Sequence, residues 1–198
     1  MTDFTKTGSQ IDEWAVIPAA TIREGAATAI PDDIRIAIEI AICKVEAVAH
    51  DGEATVIVEV SDNTTGDEDW AELVSFKIDA GTAATTTLDA EAAAAATTVP
   101  LTSTTNFETK GDRYFIKNGT IANSEIVRNN GFEDDVSITI LDGLTNTQQN
   151  GVSIYTTVQD WIVRIPADFR RFRVLINNAD ADCDIVSRTR MGKATDIE

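Results

Sequence analysis

Isoleucine stands at every second position from Ile34 to Ile42, with Arg35, Ala37, Glu39 and Ala41 between. That spacing restricts the segment to an extended strand. On a helix the five isoleucines would be scattered around the circumference, whereas a strand turns all of them to one side. A second run, TVIVEV from Thr55, repeats the period: Val56, Val58 and Val60 on one face, Thr55, Ile57 and Glu59 on the other. It leads into the loop 62–69, which holds Asn63, Gly66 and the carboxylates Asp62, Asp67, Glu68 and Asp69, a composition that needs solvent. Trp70, Leu73 and Phe76 follow, and Trp70 reads as an anchor closing the end of a β-sandwich.

Around these runs the sequence predicts an antiparallel, all-β chain. Lys44–Ala49 and Thr55–Val60 flank an Asp51-Gly52 turn signal and are expected to pair as a hairpin. Trp14, Val16 and Ile17 suggest a short strand inside an N-terminal arm, 1–30. From Gly81 to Thr105 the chain reads GTAATTTLDAEAAAAATTVPLTSTT, with a short helix expected over Asp89–Ala96 and a linker or arm over 81–105. RYFIK (Arg113–Lys117), the segment Ile121–Arg128 and VSITIL (Val136–Leu141), separated by Asn-Gly and Asp-Gly turns, predict a small barrel or meander over 106–158. Late strands at Trp161–Ile165, Phe172–Asn177 and Cys183–Arg188 are too few for a domain of their own. They are expected to rejoin residues 31–80, so that 31–80 and 159–198 form one jelly-roll-like sandwich interrupted by the insert.

Chemistry is sparse. The chain has one histidine, His50, beside the Asp51-Gly52 turn, which leaves little from which to build a triad or a histidine metal site. Cys43 and Cys183 lack metal-ligand spacing and read as reduced thiols. Nucleotide-binding, P-loop, nucleophile-elbow and zinc-protease motifs are missing from the sequence, and pairs such as Glu68-Asp69 and Asp134-Asp135 arise readily among 33 acidic residues. The segment Asp180-Ala-Asp182-Cys-Asp184 starts like a calcium loop. Its sixth and twelfth places are Ile185 and Met191 instead of glycine and glutamate, so it reads as an acidic turn. Trp14, Trp70 and Trp161 lie in apolar strand patterns and are expected in the core.

Charge adds a constraint on partners. The net charge is −17, which disfavours a phosphate backbone. With neither a leader pattern nor a long apolar run, the sequence predicts a cytoplasmically made chain that does not enter a membrane. The distribution is uneven: residues 1–160 carry 27 acidic and 9 basic side chains, residues 161–198 carry 6 and 7. An acidic body with an arginine-bearing end could associate head to tail.

Three segments, VIVEVSDNTTGDEDWAEL, GDRYFIKNGTIANSEIV and WIVRIPADFRRFRVLINN, resemble those of virion structural proteins of tailed bacteriophages. The resemblance implies a β-sandwich that is not an enzyme, carries no cofactor, and joins a virion as a capsid decoration or auxiliary head protein. Its expected partners are the major capsid or other virion proteins and further copies of itself, held by repeated weak contacts. Arg170, Arg171 and Arg173 are the residues expected to face a partner, since arginine is favoured at interfaces; the Ala/Thr-rich arm is a second expected contact. The alternative is a carbohydrate-binding, lectin-like sandwich in host adhesion, with a tryptophan as sugar platform.

Overall fold

The computed structural model describes residues 10–30, 36–46, 50–52, 54–66, 69–180 and 182–193. Ile34 and Arg35 of the isoleucine run, and the stretch 47–49, lie outside them. In chain order the strands are β1 (Gln10–Ile17), β2 (Thr21–Glu24), β3 (Thr28–Ala29), β4 (Ile36–Lys44), β5 (Thr55–Ser61), β6 (Ala71–Lys77), β7 (Thr85–Thr87) and β8 (Thr98–Pro100). They continue with β9 (Arg113–Lys117), β10 (Glu125–Glu133), β11 (Ser137–Ile140), β12 (Ser153–Tyr155), β13 (Val158–Ile165), β14 (Arg171–Asn178) and β15 (Ile185–Lys193). A single 3-10 turn, Ile121–Asn123, is the only helical element among the described residues, and no helix is long and apolar enough to cross a membrane.

The chain divides into two compact units: 1–42 with 50–80 and 159–198, and 43–49 with 81–158. In the first unit a four-stranded sheet runs β1-β15-β4-β13 and a five-stranded one β2-β14-β5-β6, with β3 also on β14. Eight of these strands make a folded ribbon. The first strand pairs with the last (β1·β15), the second with the last but one (β2·β14), the third with the sixth (β4·β13), and β5 with β6 at the closed end. Rolling the ribbon brings β15 against β4 and β14 against β5. That is the double Greek key of a jelly roll, and the second unit is inserted between its fifth and sixth strands, β6 and β13.

Period-2 patterning explains which faces meet. Ile36, Ile38, Ile40 and Ile42 from one sheet, and Val56, Val58, Val60, Phe172, Val174 and Ile176 from the other, form one buried cluster with Val163 and Ile165. The alternate positions Glu59, Arg173 and Leu175 lie outside that cluster and are only partly buried. Interdigitating two such apolar faces supplies the main driving force, at about 25 cal/mol per Å² of apolar surface removed from water.

The second unit is a six-stranded sheet, β7-β12-β9-β10-β11-β8. Its two edge strands meet: Leu88 bridges Leu101, and the Thr102 N–H donates to Thr87 O at 2.9 Å. The sheet therefore curls on itself around Leu88, Val99, Phe107, Tyr114, Ile138 and Ile154. The bend falls in β10, where the register shifts between Asn129 and Gly131. Asn129 is buried there; its amide donates to Phe107 O and Thr109 O, and its Oδ1 accepts the Gly131 N–H. A bulge of this kind lets one strand serve two sheet directions.

Several sequence expectations give way to this topology. The segment 81–105, expected as a linker, provides β7 and β8. Asp89–Ala96 is not a helix: Ala92 exchanges backbone hydrogen bonds with Gln148, and Ala95 has φ +68°. Alanine propensity is worth only tenths of a kcal/mol per residue and yields to such pairing. Thr55–Val60 pairs with β14 and β6 rather than with the segment before the Asp51-Gly52 turn, because β4 and β5 belong to opposite sheets. The first thirty residues, expected as an arm, supply β1, β2 and β3.

Gly25 interrupts the edge between β2 and β3. A Cβ there would stand 2.8 Å from Val174 O and 3.0 Å from an Asp12 carboxylate oxygen, and the Gly25 N–H donates to the same Val174 O. Gly25→Ala is expected to cost about 1–3 kcal/mol in urea unfolding, since backbone must shift to admit the methyl; an unchanged midpoint would contradict this close approach.

Candidate interaction surface

The outer face of the five-stranded sheet gathers its polar residues around Trp70. Arg173 lies opposite Glu59 in the β14·β5 register. Its Nε donates to Glu59 Oε2 at 2.6 Å, and its Nη1 pairs with the Glu24 carboxylate. Arg171 reaches the acidic loop, donating from Nε to Asn63 O at 2.6 Å and from Nη2 to Thr65 O at 3.2 Å. Both guanidinium groups lie against Trp70, 4.9 Å (Arg171) and 4.5 Å (Arg173) from the ring centre. Asn63 also donates to the Asp69 carboxylate, which closes the loop over itself; residues 67 and 68 lie outside the described residues. Such cation–π contacts are worth about 0.5–2 kcal/mol each, depending on desolvation.

The three expected interface arginines thus differ in role. Arg170 is exposed, and its main chain joins Ser61 and Ile30. Arg171 is 7% exposed and holds the loop. Arg173 is locked between two carboxylates and an indole. Arg171→Ala is expected to lower stability by about 2–3 kcal/mol, from two charge-assisted hydrogen bonds and one ring contact, and to open the loop 62–69 to proteolysis. Lysine cannot reproduce the fork and should not rescue it. Arg170→Ala, at an exposed position, should cost less than about 1 kcal/mol, as contacts of exposed charges do; equal effects at the two positions would refute this division.

The tryptophans have unequal settings. Trp14 is buried beneath the Arg188 guanidinium, 4.5 Å away. Trp161 packs on the sandwich core and stacks on Phe76 with centroids 5.1 Å apart. Trp70, expected in the core, stands outside the core cluster under its two arginines.

A second polar cluster occupies a turn region of the sandwich. His50 and Asp180 are almost fully buried, and with Asp51 they could offer three ligand atoms to a metal. The ligand atoms of His50 and Asp180 already have hydrogen-bond partners. Asp180 accepts the N–H groups of Asp182 and Cys183 at Oδ1, both at 2.8 Å, and that of Asp51 at Oδ2, at 2.7 Å. His50 Nδ1 accepts the Gly52 N–H at 3.0 Å, and its Nε2 faces Asn178 Oδ1 at 3.3 Å. Asn178 in turn donates to Ile17 O, Pro18 O and Cys183 O. This pattern calls for a neutral imidazole protonated on Nε2. Burial raises the Asp180 pKa, but the three N–H donors outweigh it and hold the carboxyl below its ordinary value. The triplet 180–184 therefore does not converge as a calcium loop does: Asp182 is exposed, and Asp184 accepts the Ala19 N–H. Cys43 and Cys183 are buried and form no disulfide.

The second unit has its own anchor, which sequence reasoning missed. Glu125, 8% exposed, accepts the N–H groups of Thr145 (2.7 Å) and Asn146 (3.2 Å), and the fully buried Gln148 amide at 2.7 Å. Nothing in IANSEIVR marks it, since a carboxylate in an alternating strand ordinarily faces solvent. Asp180 did carry a signal: aspartate two residues before another polar turn position favours an Asx turn.

No protein-family model matches the chain, and no curated protein matches it in sequence.

Proposed function

We propose that this chain is a structural, non-enzymatic component of a tailed-phage virion, a capsid decoration or auxiliary head protein that binds the particle lattice as an oligomer. One observation carries the reading: the first unit is an eight-stranded jelly roll, an architecture found in viral capsid domains and also in lectins. The polar clusters support it in a second way, because each holds a loop to its own unit by hydrogen bonds. Particle proteins need rigid loops that present surface, and their strength comes from many copies acting together. The proposed location is the virion, after synthesis in the host cytoplasm.

The lectin-like alternative needs an open aromatic face, and here Trp14 and Trp70 lie under guanidinium groups while Trp161 stacks on Phe76. Co-sedimentation with purified particles, together with light-scattering mass, tests the proposal. Retention on particles as an oligomer is the expected result; a strict monomer absent from particles would overturn it.

A further inference from the structure

We infer that Asn118 is the site at which this chain deamidates spontaneously, and that the change loosens the loop 144–148 from Glu125. The sequence has three Asn-Gly steps, 118–119, 130–131 and 150–151. At such a step the nitrogen after the asparagine can attack the side-chain amide carbon, because glycine has no side chain to crowd the approach. Folding decides which step reacts. The nitrogen must lose its proton and the peptide unit must turn, so a peptide held by hydrogen bonds is protected. Gly131 lies inside β10, paired with Thr139, and its N–H donates to Asn129 Oδ1 at 2.9 Å. Gly151 N–H donates to Leu88 O at 2.9 Å, and Val152 N–H closes the turn around it on Gln149 O at 3.3 Å. Gly119 differs. It is exposed, nothing lies within 4 Å of where its Cβ would stand, and its N–H has no hydrogen-bond partner among the described residues.

The Asn118 side chain is already folded toward that nitrogen. Its Oδ1 accepts the Thr120 N–H at 2.9 Å, which curls the amide back along the 118–119 peptide. The same donor stabilises the negative charge that develops on Oδ1 during attack. Hydroxide removes the Gly119 amide proton, the nitrogen bonds to Asn118 Cγ, and the Cγ–Nδ2 bond breaks; Nδ2 takes a proton from water and leaves as ammonia. Water then opens the cyclic imide, at Cγ to give aspartate or at the main-chain carbonyl carbon to give isoaspartate. Both products lose the Nδ2 donor, which holds Gln148 Oε1 at 2.8 Å and Thr147 O at 3.4 Å. In the aspartate form a carboxylate oxygen faces these two acceptors. Gln148 is fully buried, and its own amide donates to Glu125 Oε1 and Asn123 O. Turning that amide over to meet the new carboxylate would present its oxygen to Glu125. Moving the loop 144–148 away is the relief that leaves no acceptor facing an acceptor.

The experiment incubates the full chain for several weeks at mildly alkaline pH, native and in concentrated guanidinium chloride, and follows each Asn-Gly step by peptide mass spectrometry. In the native chain, position 118 should deamidate at least about fivefold faster than 130 or 150, the factor that one hydrogen bond of ordinary net strength supplies. In denaturant the three rates should converge. Gly119→Ala, which enters open space, should slow the reaction at 118 and leave the other two steps unchanged. Asn118→Asp, its fold checked by circular dichroism, should speed hydrogen exchange over 144–148 while β9 and β10 stay protected. A native rate at 118 no greater than at the other two steps, or the same ranking in denaturant, would overturn the assignment of the site. Unchanged exchange over 144–148 in Asn118→Asp would overturn its effect on the loop.

Discussion

Asp180→Ala is expected to lower the stability of the first unit by about 4 kcal/mol or more, a large share of the roughly 5–15 kcal/mol typical of a folded domain. The carboxylate is 2% exposed and accepts three backbone N–H groups. Alanine would leave the donors of Asp51, Asp182 and Cys183 without this acceptor, at roughly 1–3 kcal/mol each before relaxation. His50 and Asn178 would lose the turn that positions them. Asp180→Asn keeps one acceptor oxygen but presents an amide to the remaining donors, and should fall between parent and alanine. Trp14, Trp70 and Trp161 all belong to the first unit, so urea unfolding followed by tryptophan fluorescence reads this unit directly. A shift below about 0.5 kcal/mol for Asp180→Ala would end the claim that this carboxylate organises the turn.

The same residue sets a pH dependence with a definite sign. Its folded pKa is lowered, so its contribution is fully present above the unfolded value, about 3.9, and is lost as pH falls through the folded value. Stability of the parent should therefore decline steeply below about pH 4. Part of that slope should vanish in Asp180→Asn, whose side chain does not titrate; identical slopes in the two proteins would count against the assignment.

Glu125→Ala should produce the second large effect, about 3 kcal/mol, confined in origin to the inserted unit. The carboxylate holds Thr145, Asn146 and Gln148 at once, and Gln148 in turn accepts from Asn118 Nδ2 at 2.8 Å and pairs with Ala92 through the main chain. Loss of the carboxylate would release this loop from both neighbours. Hydrogen exchange read by mass spectrometry should show faster exchange over residues 144–148, with Glu125→Gln intermediate. Unchanged protection there would mean that Glu125 merely occupies the site.

The strands are largely legible in the amino-acid sequence. The isoleucine alternation of β4, the valines of β5 and the alternating end of the chain all lie where their period places them, because side-chain alternation follows from strand geometry alone. The helix expected over Asp89–Ala96 fails for the opposite reason. Propensity is local and weak, and the pairing of Ala92 with Gln148 joins residues far apart in sequence. Among the candidate partner-facing residues, Arg170, Arg171 and Arg173 look equivalent in FRRFRV. Only the register that sets Arg173 opposite Glu59, and the loop that Arg171 holds, separate them from exposed Arg170.

The order of residues alone is thus enough to specify an all-β chain, its apolar faces, its acidic character and the scarcity of its catalytic chemistry. Three things emerge only when the chain is folded: which strand lies beside which, that a supposed linker closes the second sheet, and that Asp180 and Glu125 are buried anchors among 33 acidic residues. One cause underlies all three. Backbone donors and acceptors are the same at nearly every residue, so pairing leaves little mark on composition, and a carboxylate becomes an anchor only when distant N–H groups converge on it.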